Sequence, residues 1–236
     1  MGSQNYLNMA FEKLGHIMLD DMRMKASDIY KLAVKRQKKQ DYNPPVYNEN
    51  KINIRSVFEK GGMCFYVTPK NASVKEYFMF LHGGGFVSQM SRNEWRFVLD
   101  TVESTGYGAV VPVYPIAPDH SAAEAVDMLA GAYEKLCEKE DANRIVLIGD
   151  SSGACLALSV AIQLWKTGIR RPDKLILCSP VLDTEFEDRE LEQEMGDRRK
   201  FVYGYYYTPE IRSFLRQYWV CLLYTSPSPR DSTSSR

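Results

Sequence analysis

The chain has 236 residues, of which 44% are apolar and 25% charged, and 30 lysines and arginines balance 30 aspartates and glutamates. That length holds one large domain or two small ones, with ample chain to bury a core. The composition argues against disordered, collagenous and coiled-coil chains, and the lack of basic excess argues against a general nucleic-acid binder.

No stretch approaches 18 consecutive apolar residues, so neither a transmembrane helix nor stable membrane insertion is expected. The opening MGSQNYLNMAFEKLGH lacks a basic region followed by a long apolar run, and so does not read as a signal peptide. Gly2 follows Met1, but Tyr6 stands where a myristoylation motif needs Ser or Thr. Cys64, Cys137, Cys155, Cys178 and Cys221 are scattered without a CxxC pair, which predicts reduced thiols, a cytoplasmic location and no metal site. Asn71-Ala72-Ser73 matches a glycosylation sequon but carries little weight without a secretion signal.

In chain order, residues 4–39 read as a helix, because Leu7, Phe11, Leu14, Met18 and Met22 recur at helical spacing and Ile29 and Ala33 continue the stripe. Its basic end, Lys35 to Lys39, suits the negative end of a helix dipole. Packing on its own domain is the plainer role for it, and a membrane-surface helix the sharper alternative. Asn43-Pro44-Pro45 breaks the chain. Ile52 to Phe58 and Met63 to Val67 read as paired strands about Gly61-Gly62. Strands at Tyr77–Leu81, Ala109–Tyr114, Arg144–Ile148 and Lys174–Cys178 then alternate with helices. Ser91 with Glu94, and Ser121 with Glu124, form capping boxes that open two of these helices, and residues 152–166 form the third. This alternation of continuous apolar runs predicts an α/β fold, a mostly parallel central sheet with helices on both faces.

Two motifs carry chemistry. Gly149-Asp150-Ser151-Ser152-Gly153 lies between the strand RIVLI and an apolar helix, as a nucleophile elbow does. A sharp strand-to-helix turn would hold Ser151 in a strained conformation, and the flanking glycines would leave room for neighbouring backbone. The hydroxyl would then project above the sheet near the positive helix N-terminus. His82-Gly83-Gly84-Gly85 follows the strand EYFMFL, and its glycine N–H groups can face a cavity and hold an oxyanion. A phosphate-binding loop is the competitor, but neither GxxxxGK[ST] nor a GxGxxG with its distal acid is present.

With both motifs in view, the chain resembles the hormone-sensitive-lipase-like carboxylesterases of the α/β-hydrolase superfamily. HGGGF at 82–86, GDSSGA at 149–154, Tyr114-Pro115-Ile116-Ala117-Pro118-Asp119-His120 and Ser179-Pro180-Val181-Leu182-Asp183 carry the likeness. Pro115 and Asp119 depart from the family's usual Arg and Glu. The resemblance implies Ser151 as nucleophile and an oxyanion hole drawn from the amides of Gly83, Gly84, Gly85 and Ser152, chiefly those of Gly84, Gly85 and Ser152. It implies supporting roles for His82, Gly149, Asp150 and Gly153, an ordering role for His120, and no cofactor or metal. It also implies a helical cap from residues 1–45 and 187–218, the latter with Tyr203, Tyr205, Tyr206 and Tyr207, over a partial catalytic domain at 46–220. By the same resemblance Asp183 lies in a motif that does not supply the family's triad acid.

In this fold the acid and then the histidine follow the nucleophile. Here the three histidines are His16, His82 and His120, and none follows Ser151. Cys221 to Asp231 reads like an in-frame translation of a transposase sequencing adapter. The sequence therefore predicts a native segment ending near Val220, a non-native tail at 221–236, and missing last strands. The expected activity is hydrolysis of small carboxylic esters through an acyl-enzyme, with this chain itself inactive. The alternatives are a non-catalytic small-molecule binding protein on the same scaffold, or a related peptidase or deacetylase.

Overall fold

A computed structural model describes residues 26–70, 72–139 and 142–180. The first part of the expected N-terminal helix, the 187–218 segment with its tyrosines, Asp183 and residues 221–236 lie outside the described residues. The elements are α1 (Ala26–Gln37), β1 (Ile52–Glu59), β2 (Gly62–Pro69), β3 (Glu76–Leu81), α2 (Arg92–Thr105), β4 (Gly108–Val113), α3 (Ala122–Lys139), β5 (Arg144–Asp150), α4 (Ser152–Thr167) and β6 (Lys174–Cys178).

The six strands form one sheet in the order β1-β2-β4-β3-β5-β6. β1–β2 and β2–β4 are antiparallel, whereas β3–β4, β3–β5 and β5–β6 are parallel. The hairpin joining β1 to β2 turns through Lys60 and Gly61, both at positive φ (48° and 85°). A two-residue turn with that backbone hand matches the twist of its strands.

Alternation along the buried strands sorts side chains into two cores. Tyr77, Met79 and Leu81 of β3 join a cluster with Leu129 and Leu136 of α3 and Leu156 and Val160 of α4. Phe78 and Phe80 of the same strand face the other way, into a cluster with Trp95, Val98 and Val102 of α2. The sheet is therefore covered by α2 on one face and by α3 and α4 on the other, as continuous apolar strands require. Trp95 anchors the smaller core. It meets Phe65 edge-on with centroids 5.3 Å apart, and its Nε1–H donates to the Tyr42 carbonyl at 2.9 Å.

The helix ends follow local chemistry. Ser91 caps α2 in a full capping box with Glu94, and Gly106 closes it in the left-handed conformation. Ser121 and Glu124 exchange the corresponding bonds at the start of α3. The expected strand Ala109–Tyr114 ends one residue earlier, at Val113. Tyr114 stands just past the ladder, and its ring lies beneath the loop after β3.

Topology positions the site. β3 lies between β4 and β5, so the chain runs from β3 to one neighbour and then crosses to the other. Such a reversal opens a crevice at the carboxyl ends of the strands. In the β3–β5 register Leu81 is opposite Gly149, which brings His82-Gly83 beside Asp150-Ser151.

Candidate active site

Ser151 stands between the last residue of β5 and the first of α4 with φ 50° and ψ −116°. A non-glycine residue held there stores roughly 1–3 kcal/mol, which the surroundings must sustain. They do so covalently through the two elements and by a hydrogen bond from the Ser151 N–H to the Cys178 carbonyl at 2.8 Å. The flanking glycines are required by packing. A Cβ on Gly153 would strike the carbonyl oxygens of Leu81 and His82, and one on Gly149 would strike the Gly153 carbonyl. Strand, elbow and helix thus cross at backbone contact, and the serine is turned out of the sheet.

The loop after β3 is held from below. His82 is fully buried, and its ring stacks on Tyr114 with centroids 4.2 Å apart and planes 10° from parallel. The Tyr114 hydroxyl donates to the His82 carbonyl at 2.7 Å. His82 Nδ1 lies 2.7 Å from the Gly83 carbonyl and Nε2 lies 3.1 Å from Gln89 Oε1. Burial holds the imidazole below its ordinary pKa, and its ring props the loop from beneath. Burial likewise pushes the Tyr114 phenol well up. Phe86 is buried and its carbonyl accepts from the Ala117 N–H at 2.8 Å. Gln37 of α1 donates to the carbonyls of Val87 and Ala117 at 2.9 and 2.6 Å.

The four candidate oxyanion amides differ. The Gly83 N–H is already engaged, donating to Glu94 Oε1 at 2.6 Å. Gly84 and Gly85 are exposed, at φ 115° and 62°, and no acceptor among the described residues takes their N–H groups or that of Ser152. The Gly83 amide is thus taken up by Glu94, and three of the four have no acceptor among the described residues. The sequence could not separate them, because the engaged acceptor comes from the following helix.

Asp150 turns its carboxyl toward Gly83, and burial and the nearby Glu94 charge raise its pKa. His120 is half exposed at the start of α3, its ring 3.6 Å from Glu124, and its N–H donates to the Ile116 carbonyl at 3.2 Å. No described side chain hydrogen-bonds the Ser151 hydroxyl. Two clefts, of about 480 and 370 Å³, are lined respectively by residues such as Arg92, Arg96 and Leu99, and by Gln37, Tyr114 and His120; neither includes Ser151. Contacts that sequence reasoning missed are the Tyr114 stack, the Gln89 and Gln37 bonds, and the second use of Glu94.

Residues 78–232 match the family described as alpha/beta hydrolase fold. An esterase of Acinetobacter venetianus is 32% identical over 113 residues, 48% of this chain and 37% of that protein. A triacylglycerol lipase of Mycobacterium tuberculosis is 30% identical over 118 residues, 50% of this chain and 27% of that one. The crystal structure of a thermostable esterase from Pseudomonas putida superposes with a TM-score of 0.62 at 22% identity, covering 85% of this chain and 62% of that one. The matched segment thus spans little more than a third of the longest-covered of these two curated relatives.

Proposed function

Since the chain belongs to the alpha/beta hydrolase fold family, with esterases and hormone-sensitive lipases among its relatives, we propose that it serves hydrolysis of small carboxylic esters through an acyl-enzyme on Ser151. Ser151 Oγ attacks the acyl carbon, giving its proton to a general base, and the carbonyl electron pair moves onto oxygen. The amides of Gly84, Gly85 and Ser152 receive that charge. As the pair returns, the ester C–O bond breaks and the alcohol leaves with the base's proton. Water, deprotonated by the same base, then cleaves the ester on Ser151, and the base returns that proton to Oγ. The observation that carries this reading is the strained Ser151 beside three amides that have no acceptor among the described residues.

Among the described residues no side chain is placed as the general base. His82 is buried against Gly83, Gln89 and Tyr114, and His120 pairs with Glu124. No histidine follows Ser151 in the sequence. We therefore read these 236 residues as close to inactive by themselves, since removing the base from a serine triad costs on the order of 10⁶-fold in kcat. A cytoplasmic setting is part of this proposal, on the ground that the sequence scatters its cysteines without a CxxC pair. Among the described residues no helix is long and apolar enough to cross a membrane.

The test reads p-nitrophenyl acetate hydrolysis and fluorophosphonate labelling on this chain and on any longer product of the same gene. The longer product should be labelled at Ser151 and lose both signals in Ser151→Ala. Labelling that survives Ser151→Ala would overturn the nucleophile. Ester turnover by the 236-residue chain that Ser151→Ala abolishes would overturn its inactivity.

A further inference from the structure

We propose that Glu94 is the positioning residue of the glycine loop, one carboxylate that sets the loop's place against the nucleophile elbow. The inference rests on the ester-hydrolase reading and adds a residue outside both sequence motifs. In the sequence Glu94 has an ordinary duty as the third helical residue of a capping box. In the structure its two oxygens divide the work. Oε2 accepts from the Ser91 N–H and the Ser91 hydroxyl, each at 2.7 Å. Oε1 reaches back across 11 residues to accept the Gly83 N–H at 2.6 Å.

The capping duty does not require the Gly83 bond, because the cap is complete on one oxygen. The bond to Gly83 is charge-assisted and short, the strong kind of hydrogen bond. Gly83 is also confined on both sides. A Cβ there would lie 3.1 Å from Asp150 Oδ2 and 3.4 Å from Glu94 Oε1. The loop's first glycine is thus threaded between the carboxyl of the residue before Ser151 and the carboxyl of α2. By taking the Gly83 amide, Glu94 fixes the peptide that precedes the two open amides of Gly84 and Gly85. Their direction relative to Ser151 is then set by α2, a rigid element, rather than by a run of glycines.

The capping role and the positioning role separate in a pair of variants. Ser91→Ala removes the hydroxyl of the cap and leaves Glu94 on Gly83. Glu94→Ala removes both. Hydrogen exchange on the full chain reads the grip without any activity. Protection of the segment 82–86 should fall at least tenfold in Glu94→Ala and stay within twofold of wild type in Ser91→Ala. In the longer product with Ser151-dependent hydrolysis, Glu94→Ala should lower kcat about 10- to 100-fold with KM within threefold, as misplacing oxyanion donors does. Glu94→Gln keeps an acceptor for Gly83 and should restore most of kcat. Unchanged exchange at 82–86 in Glu94→Ala, or equal kcat in Glu94→Ala and Ser91→Ala, would overturn the proposal. If no hydrolysis depends on Ser151, the ester-hydrolase reading fails, and the exchange result alone still decides whether Glu94 holds the loop.

Discussion

At the scale of single residues, the buried His82 makes stability depend on pH with a definite sign. Folding lowers the pKa of the imidazole from the ordinary 6.5, through burial first of all. The unfolded chain therefore takes up a proton that the folded chain refuses. The stability is fully present above pH 6.5 and is lost as pH falls from there through the folded value. The slope is at most one proton's worth, about 1.4 kcal/mol per pH unit. Asp150 works in the opposite sense, because its folded carboxyl holds a proton more readily than the unfolded one. Urea midpoints for wild type should drop between pH 7.5 and 5.5, and the drop should shrink in His82→Asn, which leaves Asp150 in place. An equal drop in both proteins would assign the acid sensitivity elsewhere. Ser151 and the glycines around it were legible in the sequence, since elbow and loop are each written in a few adjacent residues. Glu94 was legible only by half. Its cap spans three positions, whereas its bond to Gly83 and the Tyr114 stack on His82 join residues that only the folded sheet brings together.

At the scale of elements, helices and strands followed closely from period and caps, because each is specified by neighbours in the chain. Both capping boxes formed, and β6 has the expected bounds. What periodicity does not encode is how an edge strand is fastened. β6 is tied to β5 by a clasp at their starts. Arg170 donates to the carbonyls of Ala142 and Asn143 at 2.5 and 2.8 Å and to Asp173 at 2.9 Å. Asp173 in turn accepts the Ile145 N–H at 2.7 Å, and that bond is the first cause of its lowered carboxyl pKa. The guanidinium is partly exposed, so its ion pair counts for little, and the two carbonyl bonds carry the effect. Arg170→Ala should cost about 1–2 kcal/mol. Exchange protection should fall first in 174–178, while that of 144–150 holds. Uniform loss across both strands would show that the clasp serves the whole sheet. The same strand matters to the site, because the Cys178 carbonyl holds the Ser151 N–H.

At the scale of the molecule, the fold class was legible because alternating strands and helices leave few topologies. Which strands adjoin was not, since order in a sheet is decided by packing between distant segments. The order found makes β3 and β5 neighbours, and their register brings the two sequence motifs side by side. It also places β6 at the end of the sheet, with no further strand beside it among the described residues. Ile176 is 37% exposed there and Trp165 of α4 is 65% exposed. An edge that shows unpaired backbone groups and apolar side chains is a template for pairing with another chain. The 236-residue chain should therefore associate as its concentration rises, and charge on the edge should suppress this. Ile176→Lys is the direct test, because a lysine there can extend into solvent without disturbing either core. Light scattering should give a mass that grows with concentration for wild type and a constant monomer mass for the variant, with thermal midpoints within a few degrees of each other. A wild-type monomer at high concentration would count against an open edge. A variant that associates as strongly as wild type would move the contact to another surface, with Trp165 the next position to change.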